Sequence, residues 1–244
     1  MRLTSPSRLS AATILALLTL SIFAQAQFTP TGNLATSRMF HTATLLNSGK
    51  VLLVGGETGG FQGPALSSTE LYDPASATFS SAGGMNAARM FSTATLLNNG
   101  KVLIACGFDT NWNGIASTEL YDPESGTFAV SGSVTTARGF HSSTLLSSGK
   151  VLITGGADNS FNALTDAELY NPATGTFTPT GPMTTGQEIH TATLLSNGKV
   201  LIAGGLDSNG NPIATAELYD PVAGTFTATG SLNIGRVQCT QRRC

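Results

Sequence analysis

Short apolar runs alternate with clusters of turn-forming residues along most of the chain. In the last complete example, "HTATLL" at 190–195 is followed by "SNGK", where Gly suits the positive φ of a tight hairpin. "KVLIAGG" at 199–205 is continuously apolar, as expected of a strand buried on both faces. "AELYDP" at 216–221 alternates, and its Asp-Pro turns the chain into "GTFTATG" at 224–230. The pattern predicts four short strands joined by tight turns.

This unit occurs four times. Each third strand opens with a glutamate, and the four glutamates are spaced 49 residues apart: Glu70, Glu119, Glu168 and Glu217. A single four-stranded sheet cannot cover both of its apolar faces, so neighbouring copies must pack against each other. Four strands in a repeat of about 50 residues are typical of a β-propeller. We therefore predict an all-β protein with four complete blades, at approximately 36–85, 86–134, 135–183 and 184–232.

A piece of a further repeat precedes the first blade. "QFTPTGNLATSR" at 27–38 matches "TFTPTGPMTTGQ" at 176–187, which is a fourth strand and its connection. This similarity predicts an orphan outer strand at Phe28–Gly32. A closed ring of four blades would leave that strand unpaired, so we expect a larger ring of six or seven blades.

The first 26 residues differ from the repeats. A basic start with Arg2 and Arg8 precedes an apolar run and the sequence Ala-Gln-Ala, which ends at Ala26. This pattern is typical of a secretory signal peptide cleaved after Ala26, and an uncleaved anchor is the alternative. The apolar run is short for a bilayer span, so we expect no stable membrane span after cleavage. The mature protein, from residue 27, is expected to be secreted or periplasmic.

The repeat pattern stops at residue 236. The tail at 237–244, "VQCTQRRC", stands where "HTATLL" should begin a fifth copy. Codons for Cys-Thr-Gln-Arg-Arg-Cys can be chosen that read His-Thr-Ala-Thr-Leu in a neighbouring frame. A frameshift is therefore one hypothesis for the tail, and a natural short tail is the other.

Several features of the repeats resemble Kelch repeats. These are the paired glycines that end each second strand, the "ELYDP" third strand, the Arg before each copy and a recurring aromatic, namely Phe79, Phe128, Phe177 and Phe226. The resemblance covers residues 34–236 and implies a Kelch-type propeller. The aromatic is Phe where the family more often has Trp, and Gln187 replaces the Arg. Galactose oxidase-like enzymes share this propeller, which implies a truncated secreted enzyme as an alternative function.

Composition and the repeated polar residues restrict the chemistry. Charged residues make up 11% of the chain and the net charge is −2, so nucleic acid is not an expected partner. His41, His141 and His190 occupy one repeat position, where Ser92 stands in the second copy. A residue that recurs in register is expected to hold blades together. Each Arg and the repeated Glu also recur in register, so we expect a contact between them to have a structural role. We predict no catalytic residues, no metal ligands and no cofactor.

The loops between second and third strands vary, and variable loops on a rigid scaffold commonly bind ligands. At equivalent offsets they carry Phe61, Trp112 and Phe161, followed by Gly210 in the last copy. These aromatics could recognise sugar rings or a protein surface, or could instead fold back to cover their own hairpins. The predicted binding residues are Phe61, Trp112, Phe161, Asp109, Asn111, Asp158, Asp207 and Asn209.

The segment that begins at Asp109 also fits the start of a calcium loop, although its closing acid is one residue early at Glu119. Asp and Asn are equally good turn residues, so this reading stays an alternative. The sequence thus predicts an exported binding or interaction module for glycans or proteins. A propeller enzyme and a structural envelope repeat are the alternatives.

Overall fold

The structure, a computed structural model, describes residues 30–60 and 62–237. The chain falls into two compact units, Met1–Thr31 and Gly32–Cys244, and the fold belongs to the second. The predicted signal peptide, the candidate Phe61 and the tail from residue 238 onward lie outside the described residues.

The described residues contain sixteen β-strands and no helix. The strands of the first two blades are β1 (Thr42–Leu45), β2 (Val51–Val54), β3 (Ser68–Asp73), β4 (Thr78–Gly84), β5 (Thr93–Leu96), β6 (Val102–Ala105), β7 (Ser117–Asp122) and β8 (Thr127–Ser133). Those of the last two are β9 (Ser142–Leu145), β10 (Val151–Thr154), β11 (Ala167–Asn171), β12 (Thr176–Pro179), β13 (Thr191–Leu194), β14 (Val200–Ala203), β15 (Ala216–Asp220) and β16 (Thr225–Ala228). Each blade is one antiparallel sheet whose four strands pair in sequence order. The predicted four-bladed all-β propeller is confirmed.

Tight turns fix the register of each blade, as the sequence predicts. In blade 4, Gly198 has a φ of 82° and its amide donates to the Leu195 carbonyl at 2.9 Å. The turn between the third and fourth strands is held by Asp220, whose carboxylate accepts the Val222 amide at 2.9 Å. A Lys199–Asp220 ion pair of 3.0 Å joins the two turns, so both lie at the same end of the blade.

The hydrophobic core lies in the seams between blades. The first strands β1, β5, β9 and β13 are neighbours in that order along the axis. In the middle seam, Leu103 and Val134 of blade 2 pack against Ile153 and Tyr170 of blade 3. Equivalent residues form the seam on either side. Burial of each such aliphatic side chain stabilises the fold by about 1.5–3 kcal/mol, and the neighbouring blade supplies most of that burial.

Apolar side chains are less buried on the two outermost faces, which no described blade covers. Leu52, Leu103 and Leu152 are at most 1% exposed, whereas the equivalent Leu201 of blade 4 is half-buried. On the opposite face of the array, Val51 of blade 1 is half-buried. The expected larger ring of six or seven blades stays a prediction.

The segment that leads into blade 1 shows the arrangement of the other connections. The Gly32 amide donates to the Ala77 carbonyl at 2.8 Å, as the Gly181 amide does to the Gly224 carbonyl at 2.9 Å. Residues 30–32 form no strand, and residues 28–29 of the predicted orphan strand lie outside the described residues.

Buried ion pairs connect each leading segment to its blade. The Arg89 side chain is fully buried and donates to the Cys106 carbonyl and to Glu119 Oε1, both at 2.9 Å. Glu119 also accepts the backbone amides of Asn86 at 2.8 Å and Ala87 at 3.1 Å. A carboxylate that is buried in this way needs all of these donors to offset its lost hydration.

This buried pair of arginine and glutamate, which we call the clasp, recurs in blades 1 and 3 but is replaced in blade 4. Arg38 contacts Glu70 at 2.7 Å, and Arg138 contacts Glu168 at 3.5 Å. In blade 4 the Gln187 amide lies 3.5 Å from the Met183 sulfur instead. Gln187, which stands at the Arg position in blade 4, therefore contacts Met183 and not the repeated glutamate.

We expect identical leucine truncations to have unequal costs. Leu103→Ala should lower the free energy of unfolding by about 2–5 kcal/mol, because it empties a closed seam. Leu201→Ala should cost about 1 kcal/mol, since this side chain is already partly hydrated. Urea unfolding of both variants tests this, and equal costs would contradict the proposed role of the seam.

We expect the Glu119 clasp to make stability dependent on pH. Burial raises the pKa of Glu119, but the amides of Asn86 and Ala87 and the Arg89 guanidinium outweigh it, so the pKa lies below its usual 4.5. The ionised clasp therefore stabilises the fold above pH 4.5, and this contribution is lost as the pH falls through the lower folded-state value.

Glu119→Gln should cost about 2 kcal/mol at pH 7, because the remaining donors lose a charged acceptor. The free energy of unfolding of the variant should also fall less steeply than that of the wild type on acidification. Parallel curves for the two proteins below pH 4.5 would show that Glu119 does not carry this dependence.

Candidate binding face

The variable loops gather at the end of the blades opposite the tight turns. They run from the second strand of each blade to the third, at 55–67, 106–116, 155–166 and 204–215. The connections between blades cross the same end. We call this end of the molecule the loop face.

An aspartate at the start of the loop organises its backbone in blade 2. Asp109 Oδ1 accepts the amides of Asn111 at 2.8 Å and Asn113 at 2.9 Å, and Oδ2 accepts the Asn113 side-chain amide at 3.0 Å. Burial raises the pKa of Asp109, but these hydrogen bonds from Asn113 and Asn111 outweigh it and hold the pKa below its usual value. The loop is thus built around an ionised carboxylate.

The same arrangement occurs in the loops of blades 3 and 4. Asp158 accepts the amides of Ser160 and Asn162, and Asp207 accepts those of Asn209 and Asn211, all at 2.8–2.9 Å. The carboxylate oxygens therefore bind the loop itself, which favours the turn interpretation over the calcium loop. Among the described residues, no group of three His, Cys, Asp or Glu side chains could hold a metal ion.

Neighbouring loops are hydrogen-bonded to each other. The residue after each loop aspartate accepts a backbone amide from the loop of the preceding blade. The three bonds are Ala65 to Thr110 at 2.9 Å, Gly114 to Asn159 at 2.6 Å and Ala163 to Ser208 at 2.9 Å. These contacts were not predicted, although the short polar residue after each Asp is visible in the sequence. They join the four loops into one continuous rim.

Two of the three predicted aromatics come together on this rim. The ring centroids of Trp112 and Phe161 are 6.0 Å apart, and both rings also lie within 6 Å of Phe108. Trp112 is half-buried, while 42% of Phe161 is exposed. The two rings thus pack on Phe108 beneath them, and Phe161 still presents apolar surface to solvent. Ligand recognition by these aromatics stays a prediction.

A second apolar layer lies beneath the rim at the axis. Each first strand is preceded by a large residue with positive φ: Phe40, Phe91, Phe140 and Ile189, with values of 52–57°. Phe40 and Phe91 stack with centroids 4.1 Å apart. This left-handed conformation costs about 1–2 kcal/mol for a residue with a β-carbon, so packing must maintain it. The sequence pattern did not predict this layer, because side-chain direction here depends on the unusual φ.

The repeated histidines link adjacent blades along the axis. His141 Nε2 lies 2.8 Å from Thr93 Oγ1, and His190 Nε2 lies 2.9 Å from Ser142 Oγ. Burial lowers the pKa of His141 to about 3 and that of His190 to about 4. Both imidazoles are therefore neutral at pH 7 and occupy structural positions between blades.

The thiol of Cys106 is buried beside a seam. Burial raises its pKa to about 12, so the thiol stays protonated and is a poor nucleophile or metal ligand at neutral pH. Cys239 and Cys244 lie outside the described residues.

Comparison with known proteins supports the fold. Residues 190–233, which contain the four strands of blade 4, match the model of the Kelch motif. The fold is a β-propeller, and its fourth blade matches the Kelch motif. No curated protein gives a significant match to the chain. The described part of the chain offers no helix long and apolar enough to cross a bilayer.

We expect the loop aspartates to order the rim. Asp109→Ala removes acceptors for three donors, so the amides of Asn111 and Asn113 should exchange with solvent at least about tenfold faster, as loss of about 1.4 kcal/mol of local stability predicts. Hydrogen exchange measured by NMR tests this.

Asp122→Ala is the matched control. Asp122 holds the amide of Glu124 at 2.9 Å in a turn at the opposite end of the same blade. This variant should leave Asn111 and Asn113 unchanged, and equal effects of the two variants would mean that Asp109 has no local role.

Proposed function

We propose that this Kelch-type propeller is an exported interaction module that binds a glycan or protein surface with its loop face. Kelch-type propellers serve in general as interaction modules, which supports the proposed role in binding a partner. The predicted signal peptide supports export, to the periplasm or the exterior of the cell.

The pair formed by half-buried Trp112 and exposed Phe161 is the observation that carries the choice of face. Phe161 exposes 42% of its surface at the rim. Aromatic rings offer a large contact area with little loss of side-chain entropy, and they are frequent binding hot spots.

The backbone of the rim is also held by hydrogen bonds within the protein. Hydrogen bonds within each loop and between neighbouring loops fix its backbone, so binding requires little further ordering. Preorganisation of this kind improves affinity by lowering the entropic cost of association.

The predicted polar residues fall into two groups on this face. Asn111 and Asn209 have exposed side chains, so they are placed to form hydrogen bonds with a ligand. Asp109, Asp158 and Asp207 use their carboxylates to hold the loops, so their contribution to binding is through position. Phe61 remains a predicted member of the site.

A glycan array probed with the mature protein tests the proposal. Phe161→Ala should lower the signal of each retained glycan at least about tenfold, the loss of one hot spot. Val222→Ala is the control, because Val222 is 96% exposed on a turn at the opposite end of blade 4. It should leave the array unchanged.

Trp112→Ala should weaken the same signals, because it removes the second ring of the pair. If the array retains no glycan, the proposal that the ligand is a glycan is overturned. Signals that survive Phe161→Ala but fall with Val222→Ala would overturn the choice of the loop face.

A further inference from the structure

One position interrupts the links between histidines and hydroxyls along the axis. A histidine precedes the first strand in three blades, and a hydroxyl residue begins each of these strands. In two seams the imidazole of one blade lies within 2.9 Å of the hydroxyl that begins the first strand of the preceding blade. In the seam between blades 1 and 2, Ser92 stands where this imidazole would be.

The serine leaves two hydroxyls without the usual link. The hydroxyl oxygens of Thr42 and Ser92 are buried, and neither has a hydrogen-bond partner among the described residues. Ser92 is 8% exposed. A buried hydroxyl without a partner is costly, which is why native structures usually supply one from protein, water or ligand.

Space is available next to these hydroxyls. Ser92 lines two cavities on the axis, one of about 230 Å³ beneath the Phe40–Phe91 stack and one of about 450 Å³ along the first strands. Thr42 lines the larger cavity, together with Thr93 and Ser142. The larger volume is within the range of about 300–1,000 Å³ that small-ligand sites occupy.

The surroundings favour a neutral, hydroxyl-rich molecule. Burial keeps His141 and His190 uncharged at neutral pH, as described above. The nearby guanidinium groups are already paired, Arg38 with Glu70 and Arg138 with Glu168. Serine and threonine hydroxyls both donate and accept hydrogen bonds, so they match the hydroxyls of a sugar or other polyol. Phe40 and Phe91 add an apolar wall in the smaller cavity, which meets the larger one at Ser92.

We propose that the recess at Ser92 binds a compact, neutral polyhydroxylated ligand such as a single sugar ring, one hydroxyl of which bridges Thr42 and Ser92 in place of the missing imidazole. The site lies on the axis and uses none of the candidate residues of the rim. It is therefore independent of binding by the loop face.

Saturation-transfer NMR of the mature protein with free D-glucose, D-galactose and D-mannose tests the site. At least one of the three sugars should receive saturation and show a millimolar or tighter dissociation constant. Ser92→His restores the residue that the other blades carry at this position, so it should fill the recess, pair with Thr42 and reduce binding at least about tenfold. The same variant should raise the melting temperature, because the buried Thr42 hydroxyl gains a partner and the unpaired Ser92 hydroxyl is removed.

Thr42→Val gives a second test that does not depend on the fit of the histidine. It removes one hydroxyl at constant shape and should weaken binding about fivefold, the effect of one lost hydrogen bond. Thr127→Val on the exposed strand β8 is the control and should bind like the wild type. Phe161→Ala should also retain binding, which separates this site from the loop face.

Two results would overturn the proposal. One is that none of the three sugars receives saturation, which would mean that only water occupies the recess. The other is undiminished binding by Ser92→His and Thr42→Val.

Discussion

Burial of each sheet between its neighbours is the constraint on which the rest of the structure depends. The second strand of a blade is apolar on both faces, and only an adjacent blade can cover it. The seam also carries polar links, because the Tyr170 hydroxyl lies 2.8 Å from Ser131 Oγ of the preceding blade, and Tyr219 lies 3.0 Å from Thr180 Oγ1. These links fix the rotation of one blade against the next. The seams therefore favour similar residues at equivalent positions of successive copies, and recurrence in this chain indicates a structural role.

The ends of the array show the same constraint at the loop face. In the three inner loop contacts, a backbone amide of one blade donates to a side chain of the next. The loop of blade 4 carries Pro212 at the donor position, and the loop of blade 1 carries Gly59 at the acceptor position. Proline has no amide hydrogen and glycine has no side chain, so neither outer edge presents an unpaired copy of this contact. In the described loops this contact therefore occurs at the three inner positions, while the outermost faces beneath them are half-buried.

The sequence alone predicted the blades, because each strand is marked by its own apolar period and each turn by Gly, Asn or Asp-Pro. It also predicted the contact between Arg89 and Glu119, since both residues recur in register. It did not predict the aromatic layer of Phe40 and Phe91, because a single sequence does not reveal which large residues adopt positive φ. The sequence also left the role of Asp109 open, because the same short motif suits a calcium loop and an Asx turn. The hydrogen bonds of the folded loop favour the turn.

The backbone at the tip of the loops gives a further reason to connect the aromatics with recognition. Trp112 and Phe161 have φ values of 62° and 58°, and Gly210 occupies the same position in blade 4 with a φ of 74°. Glycine adopts this conformation without strain, whereas a residue with a β-carbon loses about 1–2 kcal/mol there. The loop geometry therefore does not require an aromatic residue, and the contacts of the two rings must offset the strain of their backbone. Part of that contact is Phe108 beneath them, and the exposed surface of Phe161 is the part on which the proposed binding role rests.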